Sequence, residues 1–334
     1  MDRPISRSVG RLGRSNLIGN RPSLPVRIRL RAEYLAARLL LGIFGTLPRR
    51  ASLCLARGVA AAAYRSLGHL RLTATRNLNL AFPHWTSEQT RAVVRGVFQN
   101  FGRLLVEFSR LPKLNGDNIS EVVVYDGFDH FAESLRRGKG TLFLTAHYGA
   151  WELCPFAHAL YGHPLNFVVR PIDNPYVDRL VNAYRTASGN QVIRKKDSLR
   201  DMLRALKRNE GVGILIDQNT TRDAGVFVDF FGLPACTTTV VAALALRTGA
   251  TVIPGVLMWD GARKIHRLHF EPPVEIVRTG DTRADIVENT ARFNKILEGL
   301  VRQHPDQWLW VHRRWKTRPS GEASPYQASG GRSP

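Results

Sequence analysis

The chain has 334 residues, with 48 Lys and Arg against 27 acids, a formal charge of +21 and 44% hydrophobic residues. That length and apolar content suit one large α/β domain with extensions, or two small domains, and exclude wholesale disorder. Three Cys without close spacing (Cys54, Cys154, Cys236) exclude a disulfide scaffold and a Cys-type zinc site, and fit a reducing compartment.

Forty of the cations are Arg, and residues 1–31 carry eight of them against Asp2 alone. A basic surface of this size attracts nucleic acid, anionic lipid or an acidic carrier protein, so charge by itself selects no partner. The longest charge-free runs, 153–169 and 230–246, are seventeen residues each and contain Pro and Gly. A spanning helix needs roughly 18 apolar residues, so these runs read as core. Leu39–Leu47 is apolar and bounded by Arg38, Arg49 and Arg50, which suits a helix lying in a membrane interface. No signal peptide is expected, because no small-x-small cleavage site follows the apolar stretch.

In chain order, residues 1–25 read as a flexible Arg-rich arm and 26–110 as a helical, membrane-proximal segment. Within 87–110, Val93, Val94, Val97, Phe98, Phe101, Leu104, Leu105 and Phe108 recur at helical spacing. Ser87 is the expected N-cap there, without a capping box. From 111 to 318 short apolar runs alternate with helices. Strands are expected at Glu121–Tyr125, Thr141–Ala146, Asn166–Val169, Gly213–Ile216, Thr251–Met258 and Lys264–Phe270. Helices are expected at 128–137, 150–161, 174–188, 198–208, 237–248 and 282–303. Continuous apolar strands alternating with helices predict an α/β fold, a mostly parallel twisted sheet flanked by helices. The Ser/Gly/Pro-rich tail, 319–334, is expected to be disordered.

GxGxxG, Walker A, GxSxG and HExxH motifs are all absent, which removes most of the case for nucleotide or zinc-protease chemistry. His147 and Glu152 form a His with an acid five positions on. Chance supplies about 0.8 such matches in this composition, and a second occurs at His266 and Glu271. Context separates them, because residues five apart in a strand point to opposite faces. His147 instead follows the apolar run 141–146 and precedes Gly149 and a helix-like segment. With His147 at the strand end and Glu152 in the first helical turn, the carboxylate would hold the imidazole tautomer while the other nitrogen takes a proton. A hydroxyl on a second molecule is the natural substrate for such a base. A satisfied structural His is the plain alternative.

The stretch Thr145-Ala146-His147-Tyr148-Gly149-Ala150-Trp151-Glu152 resembles the HX4D/E block of the lysophospholipid acyltransferase superfamily. Three further stretches resemble blocks of its lipid A late acyltransferases, the lauroyl and myristoyl transferases. These are Phe167–Pro175, Ile216–Asn219 with Gly225–Ala235, and His304–Lys316. An FPEGT-like block of the glycerophosphate branch is absent. Ala150, where Asn or a similar residue often precedes the Trp, and the Arg-rich arm depart from the pattern.

The resemblance implies acyl transfer from acyl carrier protein, as co-substrate, to a hydroxyl of an anionic lipid A precursor at the cytoplasmic face of the inner membrane. It implies no metal and no bound cofactor. His147 would be the general base and Glu152 its partner. Arg170 would hold a phosphate or an oxyanion, with Asn174, Asp217 and Gln218 beside the substrate. Arg313 and Arg314 would grip lipid phosphates, and Trp308, Trp310 and Trp315 would sit in the membrane interface. The plain alternatives are a surface salt bridge for Arg170, a turn and helix cap for Asp217 and Gln218, and a basic aromatic packing edge for the C-terminal block. Other readings are acylation of a lysophospholipid, glycolipid or ornithine-type lipid, a lipid-binding scaffold without activity, and, remotely, nucleic-acid binding. No nucleic-acid-binding motif supports the last.

Overall fold

A computed structural model describes residues 23–194 and 198–326. Most of the Arg-rich arm and the last eight residues lie outside the described residues. Four helices come first: α1 (Leu24–Thr46), α2 (Arg49–Ser66), α3 (Gly68–Ala81) and α4 (Ser87–Arg110). Thr86, not Ser87, caps α4, and the capping box that was not expected is present. The Thr86 hydroxyl accepts from Gln89 N–H, and the Gln89 side chain accepts from Thr86 N–H.

The remaining elements alternate as expected. They run β1 (Val123–Asp126), α5 (Phe128–Arg136), β2 (Thr141–Thr145), α6 (Leu153–Leu160), β3 (Leu165–Val169), α7 (Pro175–Thr186), β4 (Gln191–Arg194), α8 (Ser198–Lys207) and β5 (Gly211–Leu215). Then follow β6 (Gly225–Phe230), β7 (Leu233–Thr238), α9 (Val240–Thr248), β8 (Thr251–Asp260), β9 (Ile265–Phe270) and α10 (Thr282–Gln303). Seven strands form one sheet in the order β1-β9-β8-β2-β5-β3-β4. Five of them, from β8 to β4, are mutually parallel, while β9 turns antiparallel on β8 and takes β1 with it. The strands read as continuous apolar runs because both faces are covered. One face packs under α5 and α6 (Phe131, Leu153 and Phe156 against Phe143, Ile253 and Phe270). The other packs under α8, α9 and α10 and the N-terminal helices.

Three strands went unread in the sequence. β4 is a half-exposed edge, so it lacks an apolar run. β6 and β7 form a separate hairpin, closed by Phe231 (φ 58°) and Gly232 (φ 78°). Two positive φ angles give the turn that matches strand twist, but Phe-Gly is a weak signal beside Asn-Gly. The start of the tail also departs from expectation. Residues 319–326 pack back on the domain, and the Tyr326 hydroxyl donates to Asn77 Oδ1 at 2.6 Å.

Candidate active site

β2 and β5 are parallel neighbours with Thr145 opposite Leu215. Two residues further on, the same register brings His147 and Asp217 side by side. His147 Nδ1 lies 2.9 Å from Asp217 Oδ1, and the His147 backbone N–H donates to Asp217 Oδ2 at 2.9 Å. Trp308 Nε1–H donates to the same Oδ2 at 2.9 Å. The carboxylate is buried and the imidazole is 22% exposed, so one ring nitrogen is locked and the other faces the cavity. The Gln218 amide nitrogen sits 3.3 Å from that second nitrogen, Nε2, within hydrogen-bond reach of it.

The loop after β2 is strapped from several sides. Gly149 has φ +57°, and a Cβ there would fall 1.8 Å from the Leu257 carbonyl oxygen, so only glycine fits. Gly149 N–H donates to the Gln307 carbonyl, and Asn100 Nδ2 bridges the Gly149 and Gln307 carbonyls at 3.1 and 3.2 Å. His147 is thereby tied to α4 and to the C-terminal segment.

This arrangement corrects the expected dyad geometry. The carboxylate that meets His147 belongs to Asp217, while Glu152 pairs with Arg185 of α7 at 2.5 and 2.8 Å. The turn directs Glu152 towards α7, and the neighbouring strand fills the place at Nδ1. Burial works against a charged His147. The charge and hydrogen bond of Asp217, with Glu152 behind them, outweigh it and raise the imidazole pKa. Burial likewise works against ionised Asp217, and His147, its backbone N–H and Trp308 outweigh it, lowering the carboxyl.

The other expected site residues divide. Arg170 lies exposed at the rim of a cavity of ≈ 530 Å³ that His147, Glu152, Arg185 and Gln218 also line. Asn174 is a helix cap. Its Oδ1 accepts from Tyr176 and Val177 N–H, and its Nδ2 donates to the Leu30 carbonyl and Glu33, which leaves nothing for a substrate. Arg314 is fully buried, donating to the carbonyls of Cys236 and Gln218 and to Thr237 Oγ1, so it cannot grip a lipid phosphate. Trp308, Trp310 and Trp315 are also buried, packed with Phe230, Phe231 and one another, and not in a membrane interface. Of the five residues expected there to meet lipid, Arg313 alone is exposed, and it faces a separate surface hollow beside Arg76 and Tyr326. The dense Trp and Arg content expressed core packing against the hairpin.

Arg185, Asn100 and Gln307 went unread because each acts through a partner far away in sequence. Among the described residues, no three His, Cys, Asp or Glu side chains gather as a metal ligand set.

A mostly parallel sheet opens at its carboxyl edge onto a His–Asp pair and a largely apolar cavity, and the proteins this chain resembles are acyltransferases. The family model described as bacterial lipid A biosynthesis acyltransferase matches residues 27–317, and the chain belongs to that family. It is 31% identical over 253 residues to the lipid A biosynthesis lauroyltransferase of Escherichia coli K12, covering 75% of this chain and 80% of that protein. The palmitoleoyltransferase of the same organism is 28% identical, over 76% of this chain and 81% of its own length. The myristoyltransferase is 25% identical, over 77% and 78%. The resemblance read from the four sequence blocks is borne out.

Proposed function

We propose that the chain moves a fatty acyl group from the thioester of acyl carrier protein to a hydroxyl of a lipid A precursor, with His147 as general base. The observation that carries this reading is the asymmetry of the imidazole. Nδ1 is held by Asp217, and Nε2 opens onto the cavity. In the neutral ring the Nδ1 proton points at the carboxylate, so Nε2 is the lone-pair nitrogen. It takes the acceptor's hydroxyl proton as the oxygen bonds to the thioester carbonyl carbon. The carbon–sulfur bond then breaks, and the proton passes from Nε2 to the departing thiolate. Arg170, with its planar fork of donors, holds phosphate at the cavity rim.

Membrane contact falls to α1. Leu24, Ile28, Leu35, Leu39 and Ile43 share one exposed face, flanked by Arg27, Arg31 and Arg38. That pattern suits a helix lying in an anionic interface. No helix among the described residues is long and apolar enough to cross a membrane. The deciding experiment incubates membrane-bound protein with labelled acyl carrier protein and a lipid A precursor, beside His147→Ala. Label on the precursor with wild type alone supports the reading. Transfer undiminished in His147→Ala overturns the mechanism, and label on a different lipid overturns the acceptor.

A further inference from the structure

The cavity below His147 enters the sheet where two strands part. β3 and β5 pair only as far as Phe167 opposite Gly213, although each runs two residues further. Beside this gap one arm of the cavity is lined by Gly213, Leu165, Phe143, His158 of α6 and Phe270.

Two glycines on one face of β5 measure how far that arm runs. A Cβ on Gly213 would meet only the Phe167 Cβ, at 3.8 Å, an ordinary contact, so the space above Gly213 is open. A Cβ on Gly211 would fall 2.4 Å from Leu165 Cδ2 and 2.8 Å from Phe143 Cε2, so that space is filled. The arm therefore ends within the two residues, about 7 Å of strand, that separate the glycines. On the helix side His158 closes it. Its ring lies 5.0 Å from that of Phe143 and 5.7 Å from that of Phe270, and its Nδ1 meets the Tyr125 hydroxyl. Burial brings the His158 pKa down to about 3, so this wall carries no charge at neutral pH.

We propose that the methyl end of the transferred acyl chain comes to rest over Gly213, and that Phe143, Leu165 and His158 set the longest chain accepted. The inference deepens the acyl-transfer reading above and rests on it. Gly213 lies four residues back along β5 from Asp217, about 13 Å of extended strand. A straight aliphatic chain laid along that path keeps its carbonyl beside His147 and its tail against uncharged walls, aromatic and aliphatic but for the His158 imidazole. Each methylene beyond the end has nowhere to go, and one methylene in a pocket is worth about tenfold or more in discrimination.

The test is competition by saturated fatty acids, decanoic to hexadecanoic, against a fluorescent fatty acid on the purified full chain. Wild type is compared with Gly213→Ala, Gly213→Val and Leu165→Ala. Both Gly213 variants should move the preferred length shorter, Val more than Ala, with about tenfold weaker binding of the wild-type optimum. Leu165→Ala should move it longer. Valine suits a central strand, so Gly213→Val keeps the test open should Leu165→Ala fold poorly. An unchanged length profile in folded Gly213→Val overturns the proposal, as does a wild-type protein that binds no chain. Transfer to a lipid A precursor is measured separately. A shifted binding profile without transfer would keep this inference and remove the acyl-transfer reading.

Discussion

Asp217 holds His147 at two points, the imidazole Nδ1 and the backbone N–H, each at 2.9 Å. The double grip follows from strand register, because equal extension beyond the paired Thr145 and Leu215 sets the two residues level. Trp308 fixes the carboxylate from a third side. The ring is therefore held in tautomer and orientation before any substrate arrives.

Asp217→Asn tests that grip with little change of shape. An amide that donates to Nδ1 turns the ring into the wrong tautomer, so kcat should fall by about 10²- to 10⁴-fold with KM little changed. Glu152→Gln acts through Arg185, and its effect should be largely absent in an Arg185→Met background. Steady-state kinetics of the three single variants and the double variant decide the assignment. Equal and additive losses would reject it.

The pH dependence has a defined sign. A general base at His147, as proposed, works only as neutral imidazole, and Asp217 raises the His147 pKa above the usual 6.5 against the opposing effect of burial. Activity should therefore rise with pH to a plateau, with the midpoint above 6.5, and Asp217→Asn should move the midpoint down. For stability the sense is opposite. A raised His pKa contributes fully below the unfolded value and is lost as pH rises through the folded one. A kcat/KM profile and a melting series over the same range check both limbs.

A second buried carboxylate tests structure alone. Burial would raise Glu107, but the hydrogen bond and charge of His266 and the guanidinium of Arg49 outweigh it, bringing its pKa to about 2. Its contribution is present above the unfolded value near 4.5 and is lost as pH falls towards 2. Glu107→Gln should cost about 3–5 kcal/mol in urea unfolding at pH 7, and less on acidification.

The neighbouring arginines should behave unlike each other. Arg314→Ala strands the acceptors at Cys236, Gln218 and Thr237 and should cost more than about 3 kcal/mol. Arg313→Ala, at an exposed position, should stay within about 0.5 kcal/mol of wild type. Thermal melts separate the two outcomes.

The α1 face predicts a membrane effect without a folding effect. Leu39 is 66% exposed, so Leu39→Asp should leave the melting temperature unchanged. It should weaken binding to anionic vesicles by about tenfold or more, as sedimentation would show. Undiminished binding would move the membrane contact off α1.

Local pattern alone carried much of this protein. Apolar runs bounded by turn residues located six of the seven strands of the main sheet, and helical periodicity located α4 to α10, because both signals come from residues close in sequence. Ordered motif blocks identified the family, and His147 stood out by its place between an apolar strand and Gly149. Tertiary structure alone decided the partners. Asp217 reaches His147 across 70 positions because β5 lies beside β2, a pairing that no local spacing encodes. It sent Glu152 to Arg185, turned Asn174 into a cap, and drew Arg314 and the three tryptophans inside. In a motif, a residue suited to binding lipid and one suited to core packing look alike. Burial separates them, and burial depends on which elements meet in space.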